Sequence, residues 1–242
     1  LAIHYNSKII TDGLVLCLDA ANPKSYPGSG TTWTDLSGNG KTGTLTNGPT
    51  FNNDKLGSIL FDRVNDYVVL SNSYSSPSLP TGSSPRTLIS CFKTPVTFTG
   101  SLYEHIIHYG SAATDQAYGI TLYNISGSYY ITNHTWKGTS YFINYPVSTN
   151  TIYFVAVTYN DAATPKNTFF VNGTFGTTGF SQGKVSDYSI NTGTGFRLYL
   201  GCRVIPDEYF GGSIYFAQAY NRVLTPQEIR QNFNATRSRY GI

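Results

Sequence analysis

Apolar and polar positions along the chain change in short runs, the period expected of strands rather than of helices. Runs rich in β-branched and aromatic residues fall at 13–20, 58–62, 66–70, 87–93, 105–109 and 118–123. They continue at 129–133, 141–145, 152–159, 168–172, 196–202 and 213–220. Turn-forming residues separate them, with Asn-Gly pairs at Asn39-Gly40, Asn47-Gly48 and Asn172-Gly173. The last of these, in FFVNGTF, predicts a hairpin, because both residues tolerate the positive φ of a two-residue turn. Strands that follow one another without intervening helices pair antiparallel. There are too many for one open sheet, so the pattern predicts two stacked sheets, an all-β sandwich.

Two stretches break the pattern. Residues 22–50, rich in Gly, Pro, Thr and Asn, read as a long ordered surface loop with Trp33 packed under it. Residues 71–85, SNSYSSPSLPTGSSP, read as a mobile loop or a contact arm. The one helix predicted lies near the end. Thr225 stands at its N-cap, Pro226 at its first position and Glu228 three residues after the cap, a capping box. Ile229 and Phe233 then share the face that docks on the sheet. Neither a repeat nor a second domain is visible, so residues 1–242 read as one domain.

Composition narrows the function. Of 242 residues only 12% are charged, against roughly 25% in ordinary proteins. The 20 Tyr and the Thr, Ser and Asn residues carry the polarity instead. A net charge of +3 without a basic block argues against nucleic acid as a partner. No run approaches the ~18 apolar residues of a membrane span. The start, LAIHYNSKII, does not read as a signal peptide. A chain that opens at Leu1 and lacks Met reads as processed, trimmed or the C-terminal part of something longer. Cys17, Cys91 and Cys202 each sit in apolar sequence and read as buried free thiols, a single bridge with one spare thiol being the alternative.

Three blocks resemble a known family: DGLVLCLDAANPKSYPGSGTTWTDLSGNGKTGTL at 12–45, GSILFDRVNDYV at 57–68, and FGGSIYFAQAYNRVLTPQEIRQNFNATRSRYGI from 210 to the end. They are similar to the laminin-G-like (pentraxin-like) branch of the concanavalin A-like lectin/glucanase superfamily. The wording of the first and third blocks also resembles domains of tailed-phage virion proteins. The resemblance implies a jelly roll of two curved antiparallel sheets that binds glycans or proteins, sometimes with calcium, while a subset of the family are glycosidases or lyases. Fold alone does not choose among these.

The residues argue against catalysis. A glycosidase needs two carboxylates flanking the scissile bond, which the glucanase branch supplies as Glu-x-Asp-x-x-Glu. The only glutamates here are Glu104, Glu208 and Glu228, none in that spacing, and Glu228 is taken by the helix cap. Asp207 and Glu208 are adjacent and would face opposite ways in a strand. The segment Glu104-His105-x-x-His108 reads as strand, which puts its two histidines on opposite faces, partly exposed. The glycine pattern Gly38-x-Gly40-x-x-Gly43 has no helix after it, so it is not a dinucleotide motif. The sequons, such as Asn133-x-Thr135, read as chance matches. No catalytic residue is expected.

Two binding features remain. Asp62, Asn65 and Asp66 place three oxygen ligands within five residues, as a calcium loop does. Against that, Arg63 replaces the family's usual Gly and Tyr215-Phe216 its usual acidic residue, which leaves Asp62 and Asp66 as turn caps or partners of Arg63. No cofactor is required, with Ca2+ the one candidate. For glycan binding, SYYITNHTW offers Tyr130, His134 and Trp136 on one face by strand alternation. The same aromatics suit a core or a subunit interface. The expected role is a non-catalytic binding or structural domain, an exposed virion decoration or appendage protein that recognises host-surface glycans. The alternatives are a purely structural virion protein with no ligand and, third, a polysaccharide-degrading enzyme. Its setting is the virion surface or, alternatively, the extracellular space, and its partners are glycan or other virion proteins, including a homo-oligomer.

Overall fold

The computed structural model describes residues 8–74, 78–99, 101–136, 145–175 and 188–242. Among them the chain forms β1 (Leu14–Asp19), β2 (Thr32–Trp33), β3 (Gly43–Thr46), β4 (Thr50–Asn52), β5 (Ser58–Leu60) and β6 (Tyr67–Leu70). There follow β7 (Arg86–Lys93), β8 (Tyr103–Gly110), β9 (Ala117–Ile125), β10 (Ser128–His134) and β11 (Tyr145–Pro146). The remainder are β12 (Ile152–Tyr159), β13 (Asn167–Val171), β14 (Thr174–Phe175), β15 (Phe196–Leu200), β16 (Ser213–Tyr220) and the helix α1 (Pro226–Tyr240). Most of the predicted run at 141–145 lies outside the described residues.

All the pairings are antiparallel and fall into two sheets of a jelly-roll sandwich. The back sheet runs β14-β13-β12-β7-β16-β5-β4, with β1 sharing the free edge of β16. The front sheet runs β11-β10-β9-β8-β15-β6-β3-β2. Alternate residues of both turn inward, among them Leu18, Trp33, Val68, Leu88, Ile107, Ile120, Ile131, Val155 and Leu198, all fully buried in one core. Two predicted hairpin residues take the expected backbone, Asn172 at φ 50° and Gly173 at φ 72°, between β13 and β14. The three cysteines are free and buried.

Residues 22–50, expected to be a loop, contain β2 and β3, and β3 pairs with β6 along the edge of the front sheet. Turn-rich composition hid them because each strand is only 2 or 4 residues long. The Ser/Pro-rich segment is likewise held rather than free over 80–84. Arg86, fully buried on β7, donates to the carbonyls of Pro80 (3.2 Å), Thr81 (3.4 Å), Gly82 (2.7 Å) and Ser84 (2.8 Å). It also donates to Thr192 Oγ1 at 2.6 Å and Tyr109 OH at 3.1 Å, and lies over the rings of Tyr118 and Tyr159. A guanidinium has five donors in a fixed fork, so one side chain can satisfy a whole turn of inward-pointing carbonyls.

The helix begins as predicted. Thr225 Oγ1 accepts from Glu228 N–H, and the Glu228 carboxylate accepts from Thr225 N–H at 2.8 Å, closing the capping box. Arg222 adds a two-pronged pair to the same carboxylate, at 2.7 and 2.9 Å. Ile229, Phe233 and Tyr240 bury their side chains on Ile89, Phe154, Phe216 and Tyr220, the outward residues of the back sheet. That sheet is therefore covered on both faces.

Two outcomes follow. Arg86→Ala removes a buried guanidinium that donates to four carbonyls and two hydroxyls, hydrogen bonds to a charged group each contributing about 1.5–3 kcal/mol, and should lower the urea unfolding free energy by about 3 kcal/mol or more; Arg86→Lys, with fewer donors, should recover only part. The hydrogen bonds from Arg222 hold the Glu228 carboxyl down at about 2, below its ordinary value of 4.5. A depressed carboxyl stabilises the fold fully above its unfolded value and loses that contribution as pH falls. The Tm difference between the native chain and Glu228→Gln should thus be greatest above pH 4.5 and shrink toward pH 2.

Candidate functional site

With α1 packed on the back sheet, the outer face of the front sheet is the other broad face of the sandwich among the described residues. Register sets what it displays. The hairpin between β9 and β10 turns on Ser126 (φ 51°) and Gly127 (φ 89°), a two-residue turn that pairs Ile125 with Ser128. Counting back from it, Tyr123 faces Tyr130, Thr121 faces Thr132 and Gly119 faces His134. On the other side of β9, Tyr123 pairs with Tyr103, Thr121 with His105 and Gly119 with His108. Three rows therefore cross the sheet: Tyr103-Tyr123-Tyr130, His105-Thr121-Thr132 and His108-Gly119-His134.

His105 and His108 share this face because β8 carries a β-bulge between His105 and Ile107. Three residues of separation in a regular strand would send them to opposite faces, as expected above. The extra residue restores the parity, so Ile106 and Ile107 both join the core while both histidines point out. The bulge also frees backbone groups, and the loop at 201–210 takes them up. His105 N–H donates to the Glu208 carbonyl at 3.3 Å, and Gly201 N–H donates to the Ile106 carbonyl at 3.2 Å. Phe210 N–H closes the loop on the Gly201 carbonyl at 2.8 Å.

That loop lies over the histidines. His105 and His108 have 0% exposure and His134 6%, where partial exposure was expected of the first two. Their nitrogens are held in two sets of hydrogen bonds, one through His105 and one through His108 and His134. Thr121 Oγ1 lies 2.9 Å from His105 Nδ1, and His105 Nε2 lies 2.8 Å from Glu208 Oε2. Val204 N–H donates to His108 Nδ1 at 3.4 Å, which leaves the His108 proton on Nε2, directed at His134 Nδ1 3.0 Å away. Trp136 N–H also donates to His134 Nδ1, at 3.3 Å. Burial, reinforced by Arg203, pushes His105 down to about 3, and burial together with the neighbouring imidazoles holds His108 and His134 well below their ordinary value. All three are neutral at pH 7, and the His105–Glu208 contact is a hydrogen bond to a carboxylate rather than an ion pair. The ligating nitrogens of the three lie within 4.8 Å of one another.

Gly119 makes the third row possible. A Cβ there would sit 2.4 Å from the Ile107 carbonyl oxygen and 2.7 Å from His108 Cδ2. Without a side chain between them, the His108 and His134 rings meet over β9.

Around this buried centre the face is aromatic. Tyr103 and Tyr123 stack at 4.9 Å with planes 14° apart, and Tyr130 completes the row, with Tyr103 and Tyr130 half-buried. Burial, with Tyr123 and Glu208 nearby, lifts the Tyr103 hydroxyl to about 12, so it stays a donor. On the far side Tyr67 and Tyr199 pair at 5.9 Å. Trp136 lies past the end of β10 at φ 63°, outside strand alternation, yet its ring reaches His134 and His108 at 6.2 Å each. Arg203 covers it at 4.4 Å and is itself paired with Asp207 and, at 3.4 Å, with Glu208. Of the sequence candidates, His134 and Trp136 are thus brought together, while Tyr130 sits on the same face two rows away. Tyr103, Tyr123, His105, His108, Arg203 and Glu208 were not anticipated as site residues. The Ser126-Gly127 turn is the signal from which Tyr123 opposite Tyr130 could have been read.

The other candidate group is placed as a turn. Asp62 Oδ1 accepts from Val64 N–H at 2.7 Å and Asn65 N–H at 3.3 Å, while buried Asp66 accepts from Asp62 N–H at 3.0 Å. Asn65 is exposed, and its carbonyl accepts from Asn47 Nδ2 at 2.9 Å. Arg63 pairs with Glu104 at 3.1 Å rather than with either aspartate. The Glu104 carboxylate also accepts from Gly211 N–H at 3.1 Å, away from the histidine face.

A two-sheet sandwich with one sheet backed by a helix and the other presenting aromatic rows is the frame of a lectin-like domain. The family model described as "Concanavalin A-like lectin/glucanases superfamily" matches residues 64–230, and the chain belongs to that family. Among solved structures, domain 4 of AbnA, an extracellular arabinanase from Geobacillus stearothermophilus solved with arabinotriose, aligns at TM-score 0.61 and 16% identity, over 90% of this chain and 97% of that one. The receptor-binding domain of botulinum neurotoxin type G aligns at TM-score 0.60 and 15% identity, covering 92% of this chain and 51% of that one. Trypanosoma rangeli sialidase aligns at TM-score 0.60 and 15% identity over 94% of this chain, which spans only 33% of the sialidase. At these identities the likeness is one of fold. Comparison with curated proteins finds no match.

Gly119→Ala should be destabilising by about 1–3 kcal/mol through overpacking against β8. Its urea midpoint should drop with the m-value unchanged, although alanine is innocuous in most strands.

Proposed function

We propose that the chain is a non-catalytic glycan-binding domain that uses the outer face of the front sheet. The observation that carries this reading is the Tyr103-Tyr123-Tyr130 row, on the same face as the Trp136–Arg203 pair and on the sheet that α1 does not cover. Aromatic faces stack on the C–H surfaces of sugar rings, while Tyr hydroxyls and the Asp207–Glu208 carboxylates offer directional partners to sugar hydroxyls. Few long charged side chains and many tyrosines give contact area at low entropic cost. The AbnA domain solved with arabinotriose supports an oligosaccharide as the ligand class.

Catalysis fits the same residues poorly. Hydrolysis needs two carboxylates across a bond. Glu104 is turned toward Arg63 and Gly211, Asp207 is held by Arg203, and Glu208 is shared by His105 and Arg203. The histidines that could act as a base are buried. Binding by this face calls for no cofactor. Its setting, in this reading, is a tailed-phage virion surface, on the wording of the blocks at 12–45 and 210–242, with host-envelope polysaccharide as the natural ligand.

Titration with arabinotriose and with host-envelope oligosaccharides, followed by calorimetry and Trp fluorescence, tests this. Saturable binding is expected, weakened about 10-fold by Tyr130→Ala, the effect of losing one aromatic contact of ~1.4 kcal/mol. Absence of binding across those sugars, or binding indifferent to both Tyr130→Ala and Tyr103→Ala, would overturn it.

A further inference from the structure

Three of the chain's 4 histidines converge on one spot, and glycan recognition at the surface does not use them, because they are buried. Gathering three imidazoles away from water demands a partner for every ring nitrogen. We propose that His105, His108 and His134 bind one divalent transition ion of the zinc class, each through a single ring nitrogen. The proposal stands whether or not the front face binds sugar.

Imidazole is a good ligand for zinc, nickel and copper, and the neutral ring is the form that coordinates. Two rigid strands, β8 and β10, present the rings across β9, whose Gly119 leaves the gap open. His108 Nε2 and His134 Nδ1 stand 3.0 Å apart, close to the ~3.4 Å between two nitrogens that share a tetrahedral ion at ~2.1 Å. With all three ligating atoms inside 4.8 Å, closing the set takes a shift of about 1.4 Å at most. The proton now lying between His108 and His134 moves from His108 Nε2 to its own Nδ1, so each ring offers one lone pair and no proton leaves the protein. The 3.4 Å bond from Val204 N–H to His108 Nδ1 and the 3.3 Å bond from Trp136 N–H to His134 Nδ1 are given up in exchange for the bonds to the ion.

The surroundings match what such a site requires. Metal-bound histidines are steered by a carboxylate or hydroxyl on the other nitrogen. His105 has both kinds of partner, Glu208 at 2.8 Å and Thr121 at 2.9 Å, and can keep one while the other gives way. The nearby positive charge of Arg203 is met by two carboxylates, Asp207 and Glu208, which leaves a net negative charge beside the cluster. An ion here would fasten the end of β10, and with it Trp136, to the bulge in β8.

The test uses the full chain, stripped with a chelator and titrated with Zn2+ by calorimetry, with Co2+ substitution followed by visible absorption. One equivalent per chain is expected, with Co2+ bands of low coordination number and a rise in Tm on adding zinc. His108→Gln and His134→Gln should each weaken binding by about 100-fold. Since a buried substitution can unfold the chain, X-ray absorption at the zinc edge of the native protein decides independently. Three imidazoles in the zinc shell support the site. Fewer than three, binding only at millimolar zinc, or affinity unchanged in folded variants overturns it.

Discussion

One extra residue in β8 sets the character of the front sheet. The bulge between His105 and Ile107 turns His105 out beside His108 while Ile106 and Ile107 both fill the core. It also leaves a backbone N–H and a backbone carbonyl without strand partners. A buried backbone group without a partner is costly, and the loop at 201–210 supplies both partners through Glu208 and Gly201. The same loop then brings Arg203, Asp207 and Glu208 over the sheet, where Arg203 meets Trp136. Bulge, loop and aromatic rim form one connected construction, in which backbone hydrogen bonding fixes the place of the side chains.

The division of labour between the two sheets follows from burial. The back sheet has apolar residues on both faces, and α1 covers the outer one. The front sheet has an apolar inner face and an outer face of Tyr, Thr and His. A domain with little charge must satisfy its buried polar groups by other means. Arg86 shows how: its guanidinium is neutralised by no carboxylate among its hydrogen-bond partners and is held by carbonyls, hydroxyls and the faces of Tyr118 and Tyr159. The carboxylates of the front face are instead ion-paired, Asp207 with Arg203 and Glu208 with Arg203 while it also takes a hydrogen bond from His105.

Much of the fold was legible in the order of residues. Alternating runs, the Asn172-Gly173 turn and the Thr225–Glu228 capping box are local signals, and each acts over a few residues. What escaped was non-local or shorter than the signal. β2 and β3 were hidden in turn-rich sequence because edge strands of this length carry almost no periodicity. The bulge escaped because a spacing of three says only that parity is broken, not that an inserted residue has restored it. Trp136 was placed by alternation on the face it does occupy, though it gets there by a left-handed turn after the strand ends. Asp62 and Asp66 carry a pattern that serves a metal or a turn equally, and only the positions of Val64, Asn65 and Asp62 N–H distinguish how their oxygens are used.

The claim that the front face is the working surface is tested most directly by mapping amide chemical shifts in the labelled chain as a bound oligosaccharide is titrated in. Shifts concentrated at Tyr103, Tyr123, Tyr130, Trp136 and the loop at 201–210, with α1 unmoved, are the predicted result. Shifts centred on α1 or on the edge formed by β2 and β3, with the tyrosine row silent, would contradict it.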